Sequence, residues 1–170
     1  MKEKMKIHTY PDSILRVRTD EVLNINGDMQ TLINRMAETM YEAPGIGLAA
    51  NQVGVNQRIL VYDLTPKEEG RHLSVIINPE IVLAEGEIVH EEACLSVIDF
   101  SAEVTRRAQI KVKGIDRNEK PIDIEAEGLL AICLQHEIDH LNGSLFIDHI
   151  SSLKRTLYNK KLKKMLKNPD

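Results

Sequence analysis

Two histidines four residues apart give the strongest chemical signal in this 170-residue sequence. The segment His136-Glu137-Ile138-Asp139-His140 predicts a helix that carries both imidazoles on one face, where they can bind one metal ion. Glu137 lies beside them and can act as a general base toward a water molecule. Short motifs of this kind also arise by chance. Chance is disfavoured here because Leu129 and Cys133 continue the same stripe, and two buried imidazoles need a partner.

A catalytic metal site of this type needs a third protein ligand and one open position. Phe146 stands where an extended metalloprotease pattern requires a third histidine, and no glutamate follows Glu137. Asp148 and His149 are candidates for the third ligand. Cys94 is another, because a thiolate with two imidazoles suits Fe(II), Zn(II), Co(II) or Ni(II). A lone cysteine is more often a buried apolar residue, so these residues by themselves leave the third ligand open.

Hydrophobic patterns place these residues in an α+β fold. Helical spacing predicts helices over residues 28–43, 127–141 and 151–167. Short runs rich in Val and Ile predict strands over residues 59–64, 73–78, 81–89, 104–115 and 121–124. The expected architecture is mainly antiparallel strands around a central metal-binding HExxH helix, with N-terminal and C-terminal helices.

The ends of the predicted helices carry their own signals. Asp28 can cap the first helix and Pro44 ends it. Asn142 and Gly143 supply the left-handed position that commonly ends a helix. The last helix has a predicted apolar side formed by Leu153, Leu157, Leu162, Met165 and Leu166.

Composition and charge limit the class of protein. The sequence is 42% hydrophobic, enough for one core, and it has no run of about 18 apolar residues that could span a membrane. Two cysteines are too few for a secreted disulfide framework, so we expect a soluble cytoplasmic protein. Nothing in the sequence requires a partner subunit, a membrane or DNA, and we expect a monomer.

Basic residues are concentrated at the C-terminus. The net charge is −4, but residues 151–170 hold seven of the 22 basic residues and one of the 26 acidic residues. This segment therefore carries +6 and residues 1–150 carry −10. We predict one catalytic domain over residues 1–150, followed by a basic helix over residues 151–170 that packs on it or extends from it.

Three motifs together resemble those of the peptide deformylase family. They are GIGLAANQ at Gly45–Gln52, EACLS at Glu92–Ser96 and QHEIDHLNG at Gln135–Gly143, and the similarity extends over nearly the whole chain. Ala93 departs from the family's usual glycine, and Ile98 stands where many members have proline. These differences bear on substrate affinity and turnover more than on metal binding.

The resemblance implies a role for each matching residue. Cys94, His136 and His140 would hold the metal, and Glu137 would transfer protons. The side-chain amide of Gln52 and the backbone N–H of Leu95 would stabilise the oxyanion. The residues expected to contact substrate are Ile46, Gly47, Glu92, Ala93, Leu129, Ile132 and Cys133, of which the helical members could instead simply pack in the core. Arg106 is expected to pair with Glu92, with Asp139 nearby, although exposed ion pairs would give the same sequence pattern.

The resemblance also implies the reaction. It is metal-dependent hydrolysis of the N-formyl group from N-formylmethionyl nascent peptides, with release of formate. The family favours Fe(II), while Zn, Ni and Co also suit the ligands. The basic C-terminal helix would help the enzyme to find ribosomes. Two alternatives stay open: a metalloprotease that uses Asp148 or His149 as third ligand, and a weakly active or inactive relative that binds nascent chains or ribosomes.

Overall fold

The computed structural model describes residues 4–168, so residues 1–3 of the predicted domain and residues 169–170 of the predicted tail lie outside it. Three α-helices occur in the described part: α1 Gly27–Glu42, α2 Gly128–Leu141 and α3 Ser152–Lys167. Seven strands occur there: β1 Gly47–Ala49, β2 Ile59–Tyr62, β3 Ser74–Glu85, β4 Ile88–Cys94, β5 Val97–Arg106, β6 Gln109–Ile115 and β7 Pro121–Glu127. No helix in the described part combines the length and apolarity needed to cross a membrane.

All strand pairings are antiparallel, and the strands form two separate sheets. One sheet has five strands in the order β1-β2-β3-β6-β7, and the other is the hairpin β4-β5. With helices at both ends of the chain and α2 between the sheets and the tail, the α+β prediction is confirmed.

Several predicted strand limits were wrong. The break predicted between residues 78 and 81 is a bulge inside β3. Asn78 takes a positive φ of 54° there, and the strand continues past Pro79 with a shifted register. The predicted strand 81–89 instead divides at Gly86, which has a φ of 68°. The predicted strand 104–115 divides between β5 and β6. The short strand β1 lies inside the motif GIGLAANQ, where Gly45 and Gly47 concealed the strand pattern.

The five-stranded sheet is covered on both faces. Alternating residues of β2 and β3 belong to different clusters: Ile59 and Val61 pack with α1, whereas Leu60 and Ile76 pack with α2. Asn26, not Asp28, caps α1, since its side chain accepts a hydrogen bond from the Met29 backbone N–H at 3.0 Å.

Helix α2 presents different chemistry on its two sides. Its sheet-facing stripe comprises Ala131, Leu134, Ile138 and Leu141. The histidines lie on the other side, toward the β4-β5 hairpin. Leu129 is 47% exposed and is not a core residue, contrary to the predicted stripe, because it lies in the first turn at the edge of a cleft.

Helix α3 buries fewer leucines than its sequence predicted. Ser151 caps it by accepting a hydrogen bond from the Lys154 backbone N–H. Tyr158 and Leu162 pack in a cluster with β5 and Phe146. The apolar side was predicted wrongly at three positions that are more than half exposed, namely Leu153, Leu157 and Leu166.

Candidate metal centre

Three potential metal ligands converge between the two sheets. Cys94 ends strand β4, where the register shifts at Ala93 and the chain turns into β5. His136 and His140 come from successive turns of α2. The Sγ of Cys94 and the Nε2 of His136 each lie 3.2 Å from the Nε2 of His140, and one ligand atom from each of the three residues lies within 4.8 Å of the others.

These distances fit a bound transition metal. Ligand atoms about 2.0–2.3 Å from a tetrahedral ion lie about 3.3–3.7 Å from one another, close to the observed separations. Burial alone would lower the pKa of His136, but its contacts with Cys94 and Glu92 raise that pKa well above its usual value. Burial and the charge of His136 lower the pKa of His140.

The other candidates for the third ligand lie elsewhere. Asp148 accepts hydrogen bonds from Arg16 and from the Leu145 backbone N–H. The Nε2 of His149 lies 2.9 Å from Asp139. Neither belongs to the group of converging ligand atoms found in the described residues, so the geometry favours Cys94.

Glu137 points into the same space from α2. Its residue is 5% exposed, and its Oε2 atom has no hydrogen-bond partner among the described residues. Burial raises the pKa of Glu137 to about 7. Its carboxyl group is therefore placed to exchange a proton near neutral pH.

A buried ion-pair network supports His136 from behind. Arg106 donates two hydrogen bonds to Glu92, of 2.8 and 2.9 Å, and its side chain is only 4% exposed. The other guanidinium nitrogen bonds Asp139. The Oε1 of Glu92 lies 2.9 Å from the Nδ1 of His136. The predicted pairing of Arg106 with Glu92 is confirmed, and it orients the imidazole so that Nε2 faces the ligand cluster.

Gln52 and Leu95 border the cluster on the side opposite α2. The Oε1 of Gln52 accepts a hydrogen bond from the Ala49 backbone N–H at 2.9 Å. This bond aims the amide nitrogen of Gln52 at the Oγ of Ser96, 3.0 Å away, and at the Sγ of Cys94, 3.8 Å away. Leu95 follows Cys94 in the hairpin turn and lines the same cleft.

A cleft of about 370 Å³ leads to this cluster. Of the predicted substrate contacts, it brings together Ile46, Gly47, Glu92, Ala93, Leu129 and Ile132. Cys133 is 4% exposed and does not line the cleft. Pro44, Gly45, His90 and Glu91 also form the wall; Gly45 begins the first motif, whereas the other three lie outside the motifs. His90 shares a face of β4 with Glu92, but the strand predicted over residues 81–89 ended before it.

The departures from the motifs are accommodated at the edge of the hairpin. Ala93 is exposed and pairs with Ser101 across β4 and β5. Ser101 donates a 2.8 Å hydrogen bond to Glu91. Ile98 is 41% exposed, and its carbonyl accepts a hydrogen bond from Tyr158. None of these residues blocks the ligand cluster.

Known proteins share both the sequence and the fold. The model of the polypeptide deformylase family matches residues 4–156. A peptide deformylase of Thermodesulfovibrio yellowstonii is 55% identical over 159 residues, which are 94% of this chain and 96% of that protein. One from Syntrophobacter fumaroxidans is 51% identical over 96% of both chains. The crystal structure of a peptide deformylase from Legionella pneumophila superposes with a TM-score of 0.90 at 47% identity, covering 97% of this chain and 96% of that one. The chain therefore belongs to the polypeptide deformylase family.

Proposed function

We propose that this protein removes the N-formyl group from N-formylmethionyl peptides by metal-dependent hydrolysis and releases formate. The observation that carries the proposal is the convergence of Cys94, His136 and His140 at a cleft, beside Glu137, whose Oε2 atom has no hydrogen-bond partner among the described residues. A divalent ion held by the three ligands would polarise the formyl carbonyl and lower the pKa of water.

The strands that border the cleft suit an extended peptide. Strand β1 has only β2 as a neighbour in its sheet, and β4 has only β5, so each presents an edge strand to the cleft within the described residues. A peptide can add its backbone to such edges by hydrogen bonding. Ile46, Leu129 and Ile132 offer apolar contacts for a methionine side chain.

Glu137 is assigned the proton transfers. Its carboxylate takes a proton from the attacking water and returns it to the amine that leaves the formyl carbon. Burial raises the pKa of this group to about 7, and positive charge at the ligand cluster favours its ionised form. We assign to the side-chain amide of Gln52 and the backbone N–H of Leu95 the role of stabilising the negative charge that develops on the formyl oxygen.

Two glycines let the backbone pack closely against the side chains of the site. A Cβ on Gly47 would lie 2.7 Å from the Glu137 carboxylate, and one on Gly45 would lie 2.8 Å from the Leu95 side chain. A formyl carbon carries only hydrogen, so it can enter where a larger acyl group would clash. A formamide is therefore the substrate that we assign to this site, rather than an internal peptide bond.

We infer Fe(II) as the native metal and the cytoplasm as the location. A thiolate with two imidazoles suits Fe(II), and Zn(II), Ni(II) and Co(II) are compatible with the same ligands. Cys94 and Cys133 are both free thiols, as expected in a reducing compartment. We also propose a catalytic domain over residues 1–150 followed by a basic helix over residues 151–170, and a protein that acts as a monomer.

We also propose that α3 helps the enzyme to reach ribosomes. Five lysines are exposed along it beyond its first turn: Lys160, Lys161, Lys163, Lys164 and Lys167. The helix is anchored to the acidic body through Tyr158 and Leu162, and all these lysines except Lys161, which bonds the Asp99 carbonyl, have no partner in the described body. Positive charge in one helix gives an otherwise acidic protein a surface that ribosomal RNA attracts.

Formate release tests the proposed activity directly. Anaerobically purified protein is expected to release formate from formyl-Met-Ala-Ser, and metal analysis of the same sample identifies the ion. Casein serves as the control substrate for a metalloprotease. Metal-loaded protein that releases no formate would contradict the proposal, whether it then cleaves casein or only binds nascent chains.

A further inference from the structure

His90 places a polar side chain in the wall of the cleft. It lies in β4 two residues before Glu92, on the same face of the strand, because the register of β4 and β5 shifts only after Ala93. Two residues of a strand span roughly 7 Å. The imidazole therefore lines the same cleft as Glu92, the residue whose carboxylate supports His136.

The imidazole of His90 is free to bind a ligand. Within residues 4–168 it has no hydrogen-bond or ion-pair partner, whereas its neighbours are engaged. Glu91 accepts a hydrogen bond from Ser101, and Glu92 is held by Arg106. Imidazole carries at least one N–H donor in either protonation state.

The apolar residues that line the cleft indicate which substrate side chains the N–H donor of His90 would favour. Ile46, Leu129 and Ile132 line the same cleft and offer no polar side-chain atom. A thioether sulfur is only a weak acceptor, so an unmodified methionine would gain little from the donor. Oxidation of methionine to its sulfoxide makes the side chain polar, so contact with these apolar residues is unfavourable unless the sulfoxide oxygen finds a donor such as the exposed imidazole of His90.

We propose that His90 is a specificity-determining residue that lets the cleft accept formyl peptides whose first side chain ends in a hydrogen-bond acceptor, in particular formyl-methionine sulfoxide. The inference rests on the proposed deformylase function. The N–H of His90 donates to the sulfoxide oxygen, and the formyl group is hydrolysed as in the unoxidised peptide. The sulfoxide itself is neither reduced nor transferred.

The test compares kcat/KM for three peptides: formyl-Met-Ala-Ser, the same peptide with methionine sulfoxide, and the same peptide with norleucine, which lacks the sulfur. His90→Leu removes the donor at similar size, and His90→Asn keeps an N–H donor. His90→Leu should lower the ratio of sulfoxide to norleucine turnover by about two- to tenfold, the effect of one net hydrogen bond. His90→Asn should preserve more of that ratio.

Val89 provides the matched control. It is the preceding residue of β4, is 59% exposed and does not line the cleft. Val89→Leu should leave the ratio unchanged. The melting temperature of each variant checks the fold, and His90→Phe repeats the test if His90→Leu does not fold.

The outcomes separate this inference from the proposed function. Turnover of formyl-Met-Ala-Ser by the parent, with the same sulfoxide-to-norleucine ratio in His90→Leu, overturns the role of His90 alone. A change of equal size in Val89→Leu also overturns it. A metal-loaded parent that releases no formate from formyl-Met-Ala-Ser overturns the proposed function, and the inference with it.

Discussion

Gly47 of β1 and Glu137 of α2 approach so closely that a side chain at position 47 would overlap the carboxylate. An added Cβ would lie 2.7 Å from Oε1 and 2.9 Å from Cγ of Glu137. These are closer than real Cβ contacts, so the carboxylate or the strand would have to move. Because glycine has no Cβ, Gly47 leaves the space that the carboxylate of Glu137, the proposed general base, occupies.

Gly47→Ala should therefore reduce activity while leaving the metal bound. A displacement of about 1 Å at a reacting group can cost about a hundredfold in rate, and we expect a loss of kcat/KM of that order. Gly27→Ala is the matched control, because an added Cβ there meets nothing within 4 Å. Near-parental kcat/KM in Gly47→Ala at equal metal content would contradict this view of the site.

Glu137→Gln should retain the metal and lose most activity. The amide has nearly the shape of the carboxylate but cannot accept a proton from water. General acid–base groups typically contribute about 10²- to 10⁴-fold, and the fall in kcat is expected within that range. Formate release at equal metal content measures it, and a variant within about threefold of the parent would refute the role.

Glu92 should contribute to stability in a pH-dependent way. Burial alone would raise its pKa, but hydrogen bonds from Arg106 and His136 lower the pKa of Glu92 from 4.5 to about 2. A carboxyl group with a lowered pKa in the folded state stabilises the protein above its unfolded pKa. That contribution, about 3 kcal/mol here, is lost as the pH falls from about 4.5 toward 2.

Urea unfolding of metal-free Glu92→Gln and parent protein tests this dependence. The difference in the free energy of unfolding should be largest near neutral pH and should shrink as the pH falls below 4.5, the ordinary pKa of the group. Glu91→Gln, at the exposed neighbouring position, should show a small difference. A difference for Glu92→Gln that stays constant with pH would show that the carboxylate charge is not what stabilises the fold.

The predictable parts of the molecule are those that depend on local spacing. The HExxH pair was visible because residues four apart share a helix face, and the limits of α2 and α3 were found to within one residue. The convergence of Cys94 with His140 depends on the β4-β5 register and on the position of the hairpin against α2. Local pattern cannot encode such contacts, so the three motifs had to supply Cys94.

Residues whose side chains face a cleft were harder to predict than ligands. Leu129 and Leu157 occupy apolar positions of their helices but are exposed, because no element covers them in the described part of the chain. His90 belongs to no motif, and strand alternation does not single it out, because residues from both faces of β4 line the cleft. The bulge at Asn78 was hidden by Pro79, which normally indicates a strand end.

Oxidation should inactivate the iron form of the enzyme. Fe(II) and the Cys94 thiolate can both be oxidised, whereas a nickel form should last longer in air. Activity is followed after brief exposure of each form to air or peroxide. Cys94→Ser should bind Fe(II) more weakly, while Cys133→Ser, at a buried position away from the ligand cluster, should retain Fe(II). Equal lifetimes of the iron and nickel forms would contradict the account.

The last prediction concerns the lysines of α3 and the ribosome. Lys161 donates a hydrogen bond to the Asp99 carbonyl, so it is left unchanged to avoid disturbing the helix. The test variant replaces four other exposed lysines by glutamine: Lys160, Lys163, Lys164 and Lys167. Their loss should reduce co-sedimentation with ribosomes at low salt, because phosphate contacts depend on positive charge. Turnover of free formyl-Met-Ala-Ser should stay near the parental value.

A matched control variant shows whether ribosome binding depends on where the positive charge lies or only on how much of it the protein carries. It carries four lysine-to-glutamine changes at exposed positions of the body, namely Lys6, Lys67, Lys113 and Lys120. Because both variants lose the same charge, only the α3 variant should detach if this helix is the docking element. Binding by the parent should also weaken steeply between low and physiological salt. If the α3 variant pellets with ribosomes as well as the parent does at low salt, the helix serves only as a solvated surface.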